Sequence, residues 1–153
     1  MLMSLSLLGR ADSNPLLGTW KLKSYVVTTK KGETSTPYGE HPIGYLTYSA
    51  DGRMQVIGTA NRRLAPHGVA PTNEELAALH KTMFAYAGRY SQEEGRVIHH
   101  VDASWNHVWN GTDQVRCYEV SGNTLTITAR VVDPASGTET QYVIAWEKVT
   151  SQR

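Results

Sequence analysis

The chain has 153 residues, and its 15 Lys and Arg against 14 Asp and Glu leave a net charge of +1. This length corresponds to one domain with a single sizeable core. The balanced charge argues against a nucleic-acid partner and against binding to an anionic membrane surface. The single cysteine, Cys117, excludes an internal disulfide and a cysteine-based zinc cluster.

We interpret residues 1–13 as a loose N-terminal extension. The apolar stretch at 2–8 is interrupted by Ser4 and Ser6, and no basic segment precedes it as in a signal peptide. No apolar run reaches the roughly 20 residues of a membrane span. The sequence therefore predicts one domain over 14–150 and a cytoplasmic location.

The first elements in chain order are β-strands. In 17–29, Trp20 and Leu22 alternate with Lys21 and Lys23, which is typical of a strand with one buried face. Strands are also predicted at 43–49 and 53–59. Asp-Gly at 51–52 favours a tight turn between them, because this pair readily takes positive φ.

One helix is predicted after a loop over 61–72. Thr72 is a good N-cap and Glu75 completes a capping box, so the helix is expected over about 73–85, near a barrel mouth. Arg62, Arg63 and His67 would lie at that mouth or in a solvated loop. Further strands are expected at about 86–91, 96–104, 114–120, 124–132 and 139–148.

These elements favour an all-β fold, an antiparallel sheet of about eight or more strands that closes into a barrel. Closure removes the exposed edges of a sheet. A barrel of about eight strands encloses either packed side chains or one small ligand.

Several motifs in chain order resemble one known family. They comprise Gly-Thr-Trp at 18–20, Gly-Tyr-Leu-Thr-Tyr-Ser-Ala-Asp-Gly-Arg at 44–53, Tyr-Ala-Gly-Arg-Tyr at 86–90, Val-Ile-His-His-Val at 97–101, Trp-Asn-Gly-Thr-Asp at 109–113 and Trp-Glu at 146–147. Together they resemble the bacterial and fungal lipocalin-like domain family over about 14–148. The resemblance implies a calycin-type β-barrel with an internal pocket for a small, mostly apolar molecule. Members often accompany natural-product pathways, and some related barrels catalyse cyclisation or isomerisation.

Strand alternation indicates which side chains face the barrel interior. Glu119 is expected outside, because burying an unpaired carboxylate is costly, so Arg116 and Tyr118 face inward. His99 is expected inside and His100 outside. Candidate catalytic residues are His99, Arg116, Tyr90 and Tyr118. Candidate ligand-binding residues are Trp20, Tyr48, Met54, Tyr86, Gln114, Ile127, Tyr142 and Trp146.

Arg116 and His99 each have two interpretations. Arg116 either anchors a carboxylate, enolate or carbonyl of a ligand, or stacks on Trp20 and plugs the closed end of the barrel. His99 either performs general acid/base catalysis or is a hydrogen-bonded histidine of the barrel wall. No metal site is predicted, because His99 and His100 are adjacent on a strand and point in opposite directions.

The function predicted from these residues has two forms. In one, the protein is a cyclase or isomerase that needs no cofactor and uses the inward His, Arg and Tyr side chains. In the other, it is a carrier or sensor that binds and releases its small apolar ligand. Trp105 and Trp109 belong to a long turn and form either a flap over a barrel end or the contact of a homodimer.

Overall fold

Eight antiparallel strands close into a barrel in the computed structural model, which describes residues 13–151. The predicted extension at 1–13 therefore lies outside the described residues except for Ser13. Each barrel strand pairs with the next along the chain, and the first pairs with the last to close the sheet. The elements are β1 Gly18–Thr29, β2 Thr34–Ser35, β3 Ile43–Tyr48, β4 Arg53–Thr59, α1 Asn73–Lys81, β5 Met83–Glu93, β6 Arg96–Ser104, β7 Asp113–Ser121, β8 Thr124–Val132 and β9 Glu139–Lys148. The all-β barrel fold predicted from the sequence is confirmed, with the two-residue strand β2 added outside the barrel against β1.

The helix α1 is shorter than predicted. Its start is as expected, because the Thr72 side chain accepts from the backbone N–H of Glu75 and the Glu75 carboxylate accepts from that of Thr72. It ends at Lys81, so the prediction of a helix to residue 85 was wrong. Met83 and Phe84 belong to β5, where they pair with Thr59 and Gly58 of β4. Ladder hydrogen bonds and burial of the Phe84 ring stabilise the strand there, whereas no side chain of α1 is buried.

A β-bulge in β1 changes which of its residues face the interior. Trp20 and Leu22 face inward, and the register with β9 then shifts between Leu22 and Ser24. After the shift Tyr25 pairs with Ile144, an inward residue of β9. One extra residue reverses the alternation of a strand, so the bulge places Tyr25 inside the barrel.

The barrel interior has a packed half and an open half. The packed half contains the N-terminal part of β1 and the C-terminal part of β9, where Trp20, Leu22 and Trp146 are at most 2% exposed. Other buried members of the packed half are Leu16, Leu46, Tyr48, Met54, Val97, Leu125 and Ile127. In the open half, the same two strands stay paired and contribute Tyr25, Tyr142 and Ile144 to the wall of a cavity. The fold therefore restricts any internal ligand to one end of the barrel.

Gly88 allows close packing of β5 against β6 beside a second register shift, between Ala87 and Gly88. A Cβ atom at Gly88 would collide with the backbone carbonyl of His100, which has no room to move within the sheet. We expect Gly88→Ala to lower the free energy of unfolding by about 1–3 kcal/mol, as overpacking does in cores. Urea denaturation measures this change.

Gly68 provides the matched control, since a Cβ atom there meets nothing within 4 Å. Gly68→Ala should change the free energy of unfolding by less than about 0.5 kcal/mol. Equal stabilities of the two variants would contradict the close approach of the two strands.

Candidate functional site

The open half of the barrel holds a cavity of about 350 Å³ with mostly aromatic walls. Its lining combines rings from β1, β5 and β9 with two tryptophans from the segment between β6 and β7. The lining residues are Tyr25, Tyr38, Phe84, Tyr86, Trp105, Asn106, Trp109, Gln114, Arg116, Ala129, Val131, Tyr142 and Ile144. Apolar walls with a few placed polar groups are the usual composition of a small-molecule site.

Arg116 is the one charged residue among those that line the cavity. Its guanidinium donates to the backbone carbonyl of Val115 at 2.9 Å and to the Gln114 side-chain oxygen at 3.2 Å. The guanidinium carbon lies 5.8 Å from the centre of the Trp109 ring. Arg116 therefore lines the cavity with its guanidinium hydrogen-bonded to the two residues that precede it on β7.

The alternative in which Arg116 stacks on Trp20 at the closed end was wrong. The Lys148 ammonium occupies that position, 4.5 Å from the centre of the Trp20 ring, and it also donates to the backbone carbonyl of Leu17. Arg116 points to the opposite end because inward residues of β7 near its start face the cavity, whereas Tyr118 and Val120 pack against the buried core.

His99 lies at the boundary between the two halves and is 1% exposed. Its Nε2 is 2.7 Å from the Tyr48 hydroxyl and its Nδ1 is 2.8 Å from the Tyr86 hydroxyl. Burial, reinforced by the charge of Arg116, lowers the pKa of His99 from 6.5 to about 3. The imidazole is therefore neutral at pH 7, with one ring nitrogen donating and the other accepting.

Tyr86 connects His99 to the cavity. Its ring lines the cavity, and its hydroxyl contacts the buried imidazole. Burial raises the pKa of the Tyr86 hydroxyl, and the nearby Arg116 charge opposes that rise. His99 itself does not line the cavity, so any effect of His99 on a ligand there would pass through Tyr86.

The other predicted site residues separate into two groups. Tyr86, Gln114 and Tyr142 line the cavity together with Arg116. In contrast, the structure places Trp20, Tyr48, Met54, Ile127 and Trp146 in the packed half, where they form core contacts. All five face inward as predicted, but alternation along a strand does not tell which end of the barrel is filled.

Tyr90 and Tyr118 also lie away from the cavity. The Tyr90 hydroxyl donates to the backbone carbonyl of Ser49 at 2.9 Å and accepts from the Asn14 side chain at 2.9 Å. Tyr118 pairs with Ile127 and packs against the buried core. Neither Tyr90 nor Tyr118 is therefore among the residues that line the cavity.

Sequence reasoning did not select three of the cavity residues, Tyr25, Tyr38 and Phe84. Tyr25 faces inward only because of the bulge in β1, Phe84 was predicted to be helical, and Tyr38 lies in the segment between β2 and β3. Their rings contact one another, with Tyr25 and Tyr38 centres 4.9 Å apart and Tyr38 and Phe84 centres 5.1 Å apart. The available signal was the composition, in which eight Tyr and four Trp stand against one Phe, because Tyr and Trp carry polar groups that suit the wall of a cavity better than a dry core.

Trp105 and Trp109 line the cavity from the segment that includes the short 3₁₀ turn His107–Trp109. Their ring centres are 5.3 Å apart in an edge-to-face arrangement, and Tyr86 packs on Trp109 at 5.4 Å. His80 at the end of α1 contacts the backbone carbonyl of Trp105 at 3.1 Å, so the helix lies beside this part of the barrel. The arrangement matches the predicted flap, and a homodimer contact stays a prediction.

The loop before α1 does not line the cavity. Arg63 donates to the backbone carbonyl of Leu79 at 3.0 Å and to the Thr82 hydroxyl at 3.1 Å, and His67 contacts Glu75 at 2.8 Å. With Arg62, they border a separate surface pocket between the loop and α1. Their role in the structure is to hold the loop and the helix ends.

Two further features concern residues 13–151 only. Within them, no three His, Cys, Asp or Glu side chains come together in a group that could hold a metal ion. None of their helices combines the length and apolar character needed to cross a membrane.

The pKa of His99 predicts a pH dependence of stability. Between about pH 3 and pH 6.5 the unfolded chain holds a proton on His99 that the folded barrel does not. The free energy of unfolding should therefore fall as the pH falls below 6.5, by up to about 1.4 kcal/mol per pH unit from this group. Urea denaturation from pH 7 to pH 5 measures the slope, and His99→Gln, which cannot take up a proton, should reduce it.

His67 is the control for this experiment, because its side chain is 94% exposed. His67→Gln should keep the slope of the parent protein. Parallel slopes for the parent and His99→Gln would show that the buried imidazole is not held neutral.

The comparisons with known proteins agree with this architecture. The sequence model of one family, described as a lipocalin-like domain, matches residues 17–149, which include all eight barrel strands and the cavity residues. A search of curated proteins finds no match to the chain. The barrel of this family is suited to binding a small hydrophobic ligand, as the cavity here is. The chain belongs to the lipocalin-like domain family.

Proposed function

We propose that this protein binds one small, mostly apolar, aromatic molecule in the cavity, with a polar group of the ligand held against Arg116. The observation that supports the proposal is the single guanidinium in a cavity of aromatic walls. Rings such as Tyr25, Phe84 and Trp109 offer faces and edges for stacking, which favours a flat ligand over a flexible alkyl chain.

The remaining donors of Arg116 define the polar end of the ligand. A guanidinium has five N–H donors, and two hydrogen bonds to Val115 and Gln114 leave three of them. Two adjacent N–H groups can bind a carboxylate or enolate in a forked contact, or one can bind a carbonyl. No acidic side chain is among the lining residues to compete for this charge. The site therefore prefers a ligand that carries negative charge or a strong acceptor at one end.

Binding of two fluorescent probes tests this proposal. Anilinonaphthalenesulfonate is aromatic and anionic, and N-phenylnaphthylamine is its neutral counterpart. We expect Ala129→Phe to abolish binding of both probes, because Ala129 is an 8% exposed residue that lines the cavity. Arg116→Met should lower the affinity for the anionic probe by about tenfold or more, since a hydrogen bond to a charged group contributes about 1.5–3 kcal/mol. The affinity for the neutral probe should fall by less than threefold. Fluorescence titration gives both affinities.

Two variants on the outer face serve as controls. Ala103→Phe adds a ring at an exposed alanine, and Arg130→Met removes a guanidinium that is 68% exposed and paired with Glu139. Both should bind the probes as the parent does. Unchanged binding in Ala129→Phe would show that the probes bind outside the cavity. If Arg116→Met lowers the affinity for both probes equally, Arg116 does not anchor a charged group of the ligand.

A second candidate function is isomerisation or cyclisation of the bound ligand. The observation that favours it is the Tyr86 hydroxyl, which lies on the cavity side of a buried chain Tyr48–His99–Tyr86. A ligand carbonyl near Arg116 would develop negative charge when it enolises, and the guanidinium would stabilise that charge. In this mechanism the Tyr86 oxygen accepts the proton beside the ligand carbonyl while its own hydroxyl proton passes to His99 Nδ1, and the reverse transfer returns a proton to the ligand. Tyr90 and Tyr118 have no contact with the ligand. No cofactor is needed for such a proton transfer.

Deuterium exchange of a bound ketone tests the catalytic form. β-Tetralone is a small aromatic ketone with exchangeable protons beside its carbonyl, and NMR follows their loss in D₂O. If the protein is an enzyme, it accelerates the exchange, and Tyr86→Phe slows it by about 10²–10⁴ with little change in affinity for the ketone. Tyr45→Phe, on the outer face, is the control.

The carrier or sensor form predicts a different outcome. The ketone would bind with no acceleration of exchange over buffer, in the parent as in Tyr86→Phe. A role in natural-product biosynthesis, a cytoplasmic location and a homodimer stay predictions of the sequence.

A further inference from the structure

Three polar side chains meet on the outer face of the barrel, away from the cavity. Ser91 lies on β5, His100 on β6 and Asp113 on β7, three neighbouring strands of the sheet. The Ser91 hydroxyl is 2.9 Å from His100 Nε2, and His100 Nδ1 is 2.7 Å from Asp113 Oδ1. These contacts place a hydroxyl, an imidazole and a carboxylate in one hydrogen-bonded line.

The ladder registers produce this arrangement. His100 pairs directly with Asp113 on β7, while Ser91 pairs with Ile98, two residues before His100 on β6. Ser91 and His100 are therefore diagonal neighbours on one face of the sheet, within reach of an imidazole. No sequence motif reveals this group of three side chains, because Ser91, His100 and Asp113 come from three different strands.

Asp113 determines which nitrogen of His100 carries the proton. An ionised carboxylate only accepts hydrogen bonds, so Nδ1 donates to Asp113 and the neutral ring leaves the lone pair of Nε2 free. Nε2 then accepts from the Ser91 hydroxyl. A nucleophile bonded to a base, and a base oriented by a third group, form the arrangement that activates a serine.

The neighbours of Ser91 supply two further requirements of acyl transfer. Ile98 pairs with both Ser91 and Val115, so these two side chains form an apolar strip on the outer face beside the hydroxyl. Arg89 pairs with His100 and lies two residues before Ser91, on the same face of β5. Within residues 13–151, no ion pair engages Arg89, so its guanidinium is available to a developing oxyanion.

We propose that Ser91, His100 and Asp113 form a second site, with a serine nucleophile that hydrolyses small, activated aryl or alkyl esters. The Ser91 Oγ attacks the ester carbonyl carbon while its proton passes to His100 Nε2. The tetrahedral intermediate expels the alcohol, which takes the proton from His100, and an acyl ester of Ser91 remains. A water molecule then gives a proton to His100 and attacks this ester, which releases the carboxylic acid and restores the Ser91 hydroxyl.

Exposure of the site restricts both the substrate and the rate. Ser91 is exposed, the Asp113 side chain is 64% exposed, and the apolar strip is a surface rather than a pocket. Such a site recognises little beyond the acyl group and a good leaving group. Solvent around it also reduces the electrostatic stabilisation of the oxyanion.

Labelling of the whole protein with a fluorophosphonate tests the proposal, because this reagent forms a stable phosphonyl ester with an activated serine and releases fluoride. Peptide mass mapping should find the label on Ser91. His100→Gln should lower the labelling rate by at least about tenfold. This decrease is smaller than the 10²–10⁴-fold that a general base usually contributes, because the site is open to water. Hydrolysis of p-nitrophenyl acetate should fall in parallel in Ser91→Ala.

Two controls separate this site from ordinary surface reactivity. Ser121→Ala removes another exposed strand serine. His67→Gln removes a histidine that contacts the Glu75 carboxylate at 2.8 Å and that bonds to no serine within residues 13–151. Neither should change labelling of Ser91. Label spread over several serines, or a His100→Gln variant that reacts like the parent, would overturn the proposal.

Asp113 is a positioning residue in this mechanism, and two variants test that role. In Asp113→Asn the amide can donate to Nδ1, which moves the ring proton to Nε2 and removes the acceptor for the Ser91 hydroxyl. Labelling should fall as it does in His100→Gln, and Asp113→Glu should restore part of it. If Asp113→Asn labels as fast as the parent while circular dichroism shows an intact barrel, the carboxylate does not orient the base.

Discussion

The buried hydrogen bonds of His99 are the constraint on which the interior of this barrel depends. A neutral imidazole without water needs one donor and one acceptor, and Tyr48 and Tyr86 supply them from two other strands. This contact connects β3, β5 and β6 across the interior. It also marks the boundary between the packed half of the barrel and the cavity.

The division of the interior follows from where large side chains meet. At one end Trp20 and Trp146 come from strands that pair with each other, and leucines from β1, β3 and β8 fill the space between them. At the other end the strands carry Ala129, Gln114 and rings that pack edge to face along the wall. Smaller residues, and rings that lie along the wall, leave the centre unfilled, so a cavity and a packed core occupy one barrel.

Charge has a different role inside and outside the barrel. Arg116 is a single cation among the residues that line a low-polarity cavity, where its charge is weakly screened and adds to the effect of burial in lowering the pKa of His99. On the outer face, solvent surrounds charged side chains such as Arg53 and Asp102, which form an ion pair at 2.8 Å. Ser91, His100 and Asp113 lie in this solvated environment, so the reaction proposed for them depends on the orientation of the side chains more than on the strength of the electrostatic field.

Local patterns predicted much of the fold and the faces of its strands. The capping box at Thr72, the Asp-Gly turn after β3 and the alternation in β6 and β7 indicated the elements and put His99 and Arg116 inside. The helix end was predicted wrongly, because Phe84 fits a helical spacing as well as a strand. Its ladder with β4, a contact remote in sequence, decided between them.

Local sequence patterns were sufficient to predict an antiparallel barrel with His99 and Arg116 in its interior, because the two-residue period of a strand is a local property. The folded barrel was needed to show which inward residues line a cavity, since that depends on which end of each strand meets bulky neighbours. It moved the predicted ligand contacts of Trp20, Tyr48 and Trp146 into the core. It also brought Tyr25 into the cavity through a bulge that one strand cannot reveal without its partner.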